Sequence, residues 1–329
     1  HRGRGDRRRH DHSALTRDID RRGFIRPAGT LGAAAALGVR RGLAVPLEGD
    51  PLVVALRDSL TPAQASRFLL PWSDPRRTHA ANNWHVVPET IGRAYSTDQR
   101  QLISDIVRSL TSDDGHDRLT RSMRDDAGGI DNYSAALFAD DSDRLAFVLT
   151  GRHMTMRADA GASGAPFGGP VFYGHAVEFN ERPEHPGNVW WRHARAASEV
   201  YYALDEADRE VALVAGPSPR DVEHSVRLDG AGRTPSGVSV GALADDQQKL
   251  VSGVLDEMLA PYRELDVDAV WKSIQANGGV GGLRLTFYSD GDLPDESGVW
   301  DRWKVEGPGL AWYFRGSPHV HAWLNVGAA

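Results

Sequence analysis

A helix followed by two strands occurs twice along this 329-residue chain, and this repetition constrains the fold more than any other feature of the sequence. The segments Thr97–Ser104 and Ala244–Ser252 share a polar start, an early glutamine and a late pair of aliphatic residues before a serine. This pattern is typical of an amphipathic helix. Each half of the chain is therefore predicted to contain a helix that buries one face.

Strand-like apolar runs follow both helices at corresponding places. Ser134–Phe138 and Leu283–Tyr288 each end in an acidic turn. Leu145–Thr150 and Trp303–Glu306 each lead into a turn that contains glycine. Both helices are thus followed by an antiparallel pair of strands.

These repeated elements predict an α+β fold, in which pseudo-duplicated units of a helix plus an antiparallel β-hairpin or sheet pack as one body. The internal halves are expected at about residues 50–215 and 216–329 of a single domain over 46–329. The halves are not chemically equal, because the alignment places His153 opposite Gly309. Only the first half carries an imidazole at the turn between its strands.

The N-terminal region resembles an export signal. Arg21, Arg22 and Phe24 match the twin-arginine motif, and an alanine-rich stretch, Gly29–Val39, follows them. That stretch is too short to span a bilayer stably, so it suits a cleaved signal over residues 1–45. The predicted partner is the twin-arginine export machinery, and the predicted location is periplasmic or extracellular. The alternative interpretation is a disordered basic arm with paired arginines by chance.

Composition excludes several classes of function. Cysteine is absent, which rules out disulfides, thiolate nucleophiles and cysteine-ligated metals. The net charge is −7 although the leader is rich in arginine, so the rest of the chain has no basic stripe for nucleic acid. No glycine-rich phosphate loop or dinucleotide fingerprint is found, so no nucleotide cofactor is expected. No stable membrane span is expected either.

Three histidines form the candidate metal site. His319 and His321 are one residue apart, so in an extended segment both project to the same face of a strand. His153 projects alongside them if the two strands are neighbours. Three neutral imidazoles suit one transition metal ion, either copper, iron or zinc, with a carboxylate or water completing the shell.

The same histidines also have a simpler interpretation. The chain has 13 histidines, so a pair separated by one residue arises readily by chance. Histidines near the end of an aromatic-rich strand are often hydrogen-bonded core or rim residues. Contact between His153 and the C-terminal pair is the expectation on which the metal hypothesis depends.

Five motifs of the chain resemble those of the domain-of-unknown-function 3500 family. They appear in the family's order and spacing over almost all of the chain after the leader: Asp74–Arg77, Asn83–Pro88, Gly151–Met156, Val171–Gly174 and Pro318–Trp323. Twin-arginine leaders are frequent in such proteins. The resemblance implies kinship and no particular reaction, because the family has no established activity.

Two positions depart from the family pattern. Arg152 stands where a first histidine is common, which leaves His153 as the only imidazole of that motif. His175 stands after Gly174 where a small residue is usual, and we interpret it as a loop residue rather than a ligand.

Three functions remain open from the sequence. The first is an exported histidine-ligated metal-dependent enzyme, hydrolytic or oxidative, whose catalytic residues are unknown. The second is a non-catalytic envelope protein that binds a small molecule, a peptide, a glycan or a metal ion. The third is a structural envelope protein in which the histidines only satisfy backbone groups.

Overall fold

A computed structural model describes residues 50–142, 144–160, 167, 169–176, 189–228, 235–290 and 302–327. These residues all belong to one compact unit, Val45–Ala329. The leader motif with Arg21, Arg22 and Phe24 lies outside the described residues. Within the described ranges, no helix has the length and apolar character that crossing a membrane requires.

The helices begin where the sequence provides caps. Gln99 Oε1 accepts a hydrogen bond of 2.9 Å from the Ser96 N–H, and Gln247 Oε1 accepts one of the same length from the Ala244 N–H. The described helices are α1 (Asp50–Asp58), α2 (Pro62–Phe68), α3 (Ile91–Ala94), α4 (Thr97–Ser109), α5 (Asp113–Ala127), α6 (Trp191–Ala203), α7 (Glu206–Ala212), α8 (Asp245–Leu259) and α9 (Glu264–Ala276).

The described strands form one mostly antiparallel sheet. They are β1 (Leu69–Pro71), β2 (Ser134–Ala139), β3 (Leu145–Gly151), β4 (Met154–Ala160), β5 (Val171–His175), β6 (Leu213–Val214), β7 (Val238–Ser239), β8 (Arg284–Tyr288), β9 (Arg302–Gly307), β10 (Leu310–Arg315) and β11 (Val320–Val326). Their order is β1-β2-β3-β4-β5-β11-β10-β9-β8-β6, with β7 beside β8. The predicted α+β class is confirmed.

The sheet shows the same succession of parallel and antiparallel strand pairs when it is followed inward from either edge. A short parallel strand lies outermost on each side, where β1 pairs with β2 and β6 pairs with β8. Antiparallel hairpins follow inward, and the two halves meet where β5 pairs antiparallel with β11. In the sheet the second half begins before residue 216, because β6 already belongs to it.

Helix connections also pack together between the two halves. The Ser112 N–H donates to the carbonyl of Pro261, and the Arg263 N–H donates to the carbonyl of Leu110. These two hydrogen bonds join the α4–α5 connection to the α8–α9 connection, its counterpart in the repeat. The halves are therefore held together both in the sheet and among the helices.

The two faces of the sheet carry different cores. Trp312 and Phe314 of β10 belong to the large core that includes residues from α4, α5, α6 and α8. The alternate residue Tyr313 belongs to a smaller buried cluster with Phe172 and Trp323. That cluster also contains Ala80 and Val226, from the connections that follow β1 and β6. Helices thus cover one face, and long connections cover the other near the middle of the sheet.

Candidate metal centre

The three histidines singled out in the sequence meet at one end of the two central strands. His153 lies in the two-residue turn between β3 and β4, and His319 and His321 lie just before and within the start of β11. Nε2 of His319 lies 3.2 Å from Nε2 of His153 and 3.0 Å from Nε2 of His321. Their potential ligand atoms all lie within 4.8 Å of one another. The contact on which the metal hypothesis depends is therefore present.

The backbone of His153 adopts a conformation that favours glycine. Its φ is 56°, in the left-handed region, and the equivalent residue of the second hairpin is Gly309 with a φ of 81°. Hydrogen bonds fix the turn, since the His153 N–H donates to the Asn82 carbonyl and its own carbonyl accepts from the Gly174 N–H. The first hairpin therefore keeps a side chain where the second hairpin has glycine. Backbone strain of this kind is often found at functional sites.

Two carboxylates, the buried one of Asp126 and the partly exposed one of Asp221, lie behind two of the three imidazoles. His321 Nδ1 forms a hydrogen bond of 2.6 Å with Asp221 Oδ2. His153 Nδ1 lies 3.0 Å from Asp126 Oδ2, although in a poorer hydrogen-bond geometry. A carboxylate at Nδ1 favours the tautomer that carries its proton there, which leaves the Nε2 lone pair for a metal. The Nε2 atom of His321 therefore faces the centre as an acceptor.

The lowered pKa values of His319 and His321 keep these two imidazoles neutral near pH 7. Burial, together with the nearby imidazoles of His321 and His153, lowers the pKa of His319 to about 3. Burial likewise lowers the pKa of His321 to about 4, against the opposing effect of Asp221. Neutral imidazole is the form that binds metals, so these ligands need lose no proton near neutral pH.

The two carboxylates of the site differ in their cationic neighbours. Burial raises the pKa of Asp221, but the hydrogen bond from His321, the charge of Arg315 and the hydrogen bond from Trp323 outweigh it and lower the pKa to about 2. Asp126 has a fully buried side chain, and among the described residues no Arg or Lys lies within ion-pair distance of it. A divalent cation between the histidines would balance this buried negative charge.

The spacing of the nitrogens fits a small metal ion. Zinc binds imidazole nitrogen at about 2.0–2.1 Å, which places tetrahedral ligand nitrogens about 3.3 Å apart. Two of the three separations, 3.2 and 3.0 Å around His319 Nε2, are close to this value, and all three ligand atoms lie within 4.8 Å of one another. Three lone pairs at such distances repel one another unless a proton or a cation lies between them.

Gly174 of β5 leaves the space that the histidines fill. A Cβ atom at this position would lie 2.4 Å from the Val320 carbonyl oxygen, 3.3 Å from His321 Cδ2 and 3.4 Å from His153 Cβ. The first distance is a clash with backbone, so the strand pair would have to separate.

We predict that Gly174→Ala lowers the free energy of unfolding by about 1–3 kcal/mol and weakens metal binding at least about tenfold. Urea unfolding and metal titration would measure both effects. Gly253→Ala is the matched control, because no atom lies within 4 Å of its added Cβ and alanine favours the helix. Parent-like stability and affinity in Gly174→Ala would contradict the packing argument.

His175 is not the loop residue that the sequence suggested. It is the last residue of β5, it is fully buried, and its Nε2 lies 3.3 Å from Asp125 Oδ2. Burial lowers its pKa despite the neighbouring carboxylates Asp126 and Asp125. It belongs to the surroundings of the centre and is not among the three convergent ligands.

Comparison with known proteins gives a family and no further relatives. The model of the family described as "Protein of unknown function (DUF3500)" matches residues 51–289. No curated protein and no solved structure matches the chain.

Proposed function

The chain belongs to the DUF3500 family, and we propose that His153, His319 and His321 of this member bind one divalent transition metal ion as the centre of a metal-dependent enzyme. One observation carries this proposal: the Nε2 atoms of His153 and His321 lie 3.0–3.2 Å from that of His319, while carboxylates lie within 3.0 Å of the far side of two of the rings. Three imidazole nitrogens that face one another are an arrangement that binds a cation, and a purely structural cluster has no need of it.

Zinc is the metal that this ligand set favours most. All three ligand atoms are imidazole nitrogens, and both nearby carboxylates act from behind the rings. A non-haem iron site usually has two histidines and one carboxylate as direct ligands, and a blue-copper site has a cysteine, which this chain lacks. Copper bound by three histidines is the second choice.

The centre supports hydrolytic chemistry better than electron transfer. Zinc held by His153, His319 and His321 would leave room for a bound water and would supply the lowered water pKa, about 7, that hydrolysis needs. Asp126 and Asp221 would orient the ligand rings and offset the charge of the ion. Export in the folded state, which the Arg21-Arg22 pair supports, suits a protein that acquires its metal before export.

Metal loading of chelator-treated protein tests the proposal. We expect one equivalent of zinc per chain, in preference to iron(II), and stabilisation by about 4 kcal/mol at a free zinc concentration 1,000 times Kd. Elemental analysis and thermal unfolding measure these two quantities. His85→Ala is the matched control, because His85 is exposed and lies outside the cluster. If the protein binds none of zinc, copper and iron, the proposal is wrong and a non-catalytic binding role or a structural role remains.

A further inference from the structure

The three proposed ligands differ in their exposure to solvent. His153 and His321 are buried, with 6% and 3% of their surface exposed, whereas His319 is partly exposed. The buried ring of Phe172 packs against the first two, with its centroid 6.5 Å from that of His153 and 5.1 Å from that of His321. Within the described ranges, the centre is therefore closed on the side of Phe172 and open to solvent on the side of His319.

Arg152 lies beside the centre without a carboxylate partner. It is the residue before His153 in the turn between β3 and β4, and it is exposed. Its backbone is fixed, because its carbonyl accepts a hydrogen bond of 2.7 Å from the Tyr133 hydroxyl and it forms an antiparallel bridge with Asn83. Among the described residues, no Asp or Glu lies within ion-pair distance of its guanidinium group. Its positive charge is thus available to a ligand.

Arg315 adds a second positive charge next to the centre. It lies directly opposite His321 in the pairing of β10 with β11, so both side chains project to the same face of the sheet. One guanidinium nitrogen lies 3.4 Å from Asp221 Oδ2, while Nε is buried and has no acceptor in the described part of the chain. After burial and the two other imidazoles, the charges of Arg315 and Arg152 also lower the pKa of His319. Both arginines therefore act on the partly exposed ligand.

The charges around the centre favour an anionic ligand. The carboxylates of Asp126 and Asp221 lie behind two of the rings, and together they offset the two charges of a divalent ion. Asp125, the carboxylate next to Asp126, pairs with arginines of its own helix. The charges of Arg152 and Arg315 then remain as a surplus of positive charge, which attracts a negative group to the centre.

From this arrangement we infer that the metal centre takes an anionic substrate and that Arg152 binds the carboxylate or phosphate group of that substrate. The inference rests on the proposed function, because the substrate bond that reacts lies at the metal. A planar guanidinium group presents two parallel N–H donors, which match two oxygens of either anion. Arg315 supports this binding through its charge.

Three hydroxamic acids that differ in charge test the inference on zinc-loaded full-length protein. Acetohydroxamic acid binds zinc through its hydroxamate group and carries no further charge. Malonomonohydroxamic acid and phosphonoacetohydroxamic acid carry a carboxylate or a phosphonate in place of one methyl hydrogen. In calorimetric titrations, the tighter of these two anionic acids should bind at least about tenfold more strongly than acetohydroxamic acid. Which of the two binds more tightly identifies the preferred group as carboxylate or phosphate.

Variants of Arg152 test its part in this preference. Arg152→Gln should remove most of the preference, with the zinc content and the Kd of acetohydroxamic acid unchanged. Arg152→Lys keeps the charge but loses the paired donors, so it should retain part of the preference. Arg192→Gln is the matched control and should bind all three acids as the parent does, because Arg192 is exposed on α6, which packs on the opposite face of the sheet.

The outcomes separate this inference from the proposed function. Protein that binds no zinc would overturn both together. Zinc-loaded protein that binds the three acids equally, or binds none of them, would overturn the anionic substrate and leave the metal centre intact. A preference that survives unchanged in Arg152→Gln would overturn the role of Arg152.

Discussion

Replacing His319 and His321 together by alanine is expected to abolish metal binding. The double variant leaves a single imidazole, His153, and a lone imidazole holds a divalent ion only weakly. Equilibrium dialysis with elemental analysis should find one zinc per parent chain and none per variant chain. The thermal midpoint of the variant should also be independent of zinc, because an ion that does not bind the folded state cannot stabilise it.

His153 offers a sharper version of the same experiment. His153→Ala and His153→Gly both remove the imidazole, so both should lose the metal. The two variants differ in how easily they adopt the φ of 56° at this position, which costs alanine about 1 kcal/mol more than glycine. Metal-free His153→Gly should therefore be more stable than His153→Ala by about that amount. Stoichiometric zinc in either variant, at the parent's affinity, would contradict the assignment of His153 as a ligand.

The repeat was readable from the sequence because local signals agree with the fold. The segments around Gln99 and Gln247 begin as capped helices, and the apolar runs that follow them form strands at the predicted places. The His153–His319 contact followed from the repeat together with the expectation that the hairpins are neighbours. The sheet provides that proximity through β5, which pairs with both β4 and β11.

The carboxylates of the site were missed because their role arises only in the tertiary structure. Asp125 and Asp126 look like a solvated acidic pair, yet they occupy the last turn of α5, where the helix dipole disfavours negative charge. His153 likewise occupies a turn position where its repeat partner is Gly309. The acidic pair and His153 each break a local rule. Such violations could have identified the site before the fold was known. Asp221, in an irregular connection, gave no comparable signal.

Acidification of the metal-free protein is expected to lower its free energy of unfolding steeply, in large part through His193. This histidine is fully buried in α6, where its Nε2 lies 3.0 Å from the Tyr173 hydroxyl oxygen and its ring stacks on Trp190. Burial, with the charge of Arg118, lowers its pKa from an ordinary value of 6.5 to about 3. Between these two values the unfolded chain binds a proton that the folded protein excludes.

The sign of the effect follows from this difference. Above pH 6.5 both states leave His193 neutral, and the folded state bears no cost. Below it, the unfolded state alone gains the proton, so stability falls by about 1.4 kcal/mol per pH unit, or about 3 kcal/mol by pH 4.5. His319 and His321, whose pKa values are lowered to about 3 and about 4, add to the slope in the same direction.

A His193→Phe variant isolates this contribution. Phenylalanine suits the aromatic surroundings of Trp190 and Phe314 and cannot titrate. Urea unfolding between pH 6.5 and 4.5 should show a slope smaller by about one proton than that of the parent, even if the variant is less stable at pH 7 through the unpaired Tyr173 hydroxyl. An unchanged slope would mean that His193 takes up its proton in the folded protein as readily as in the unfolded chain, against its burial.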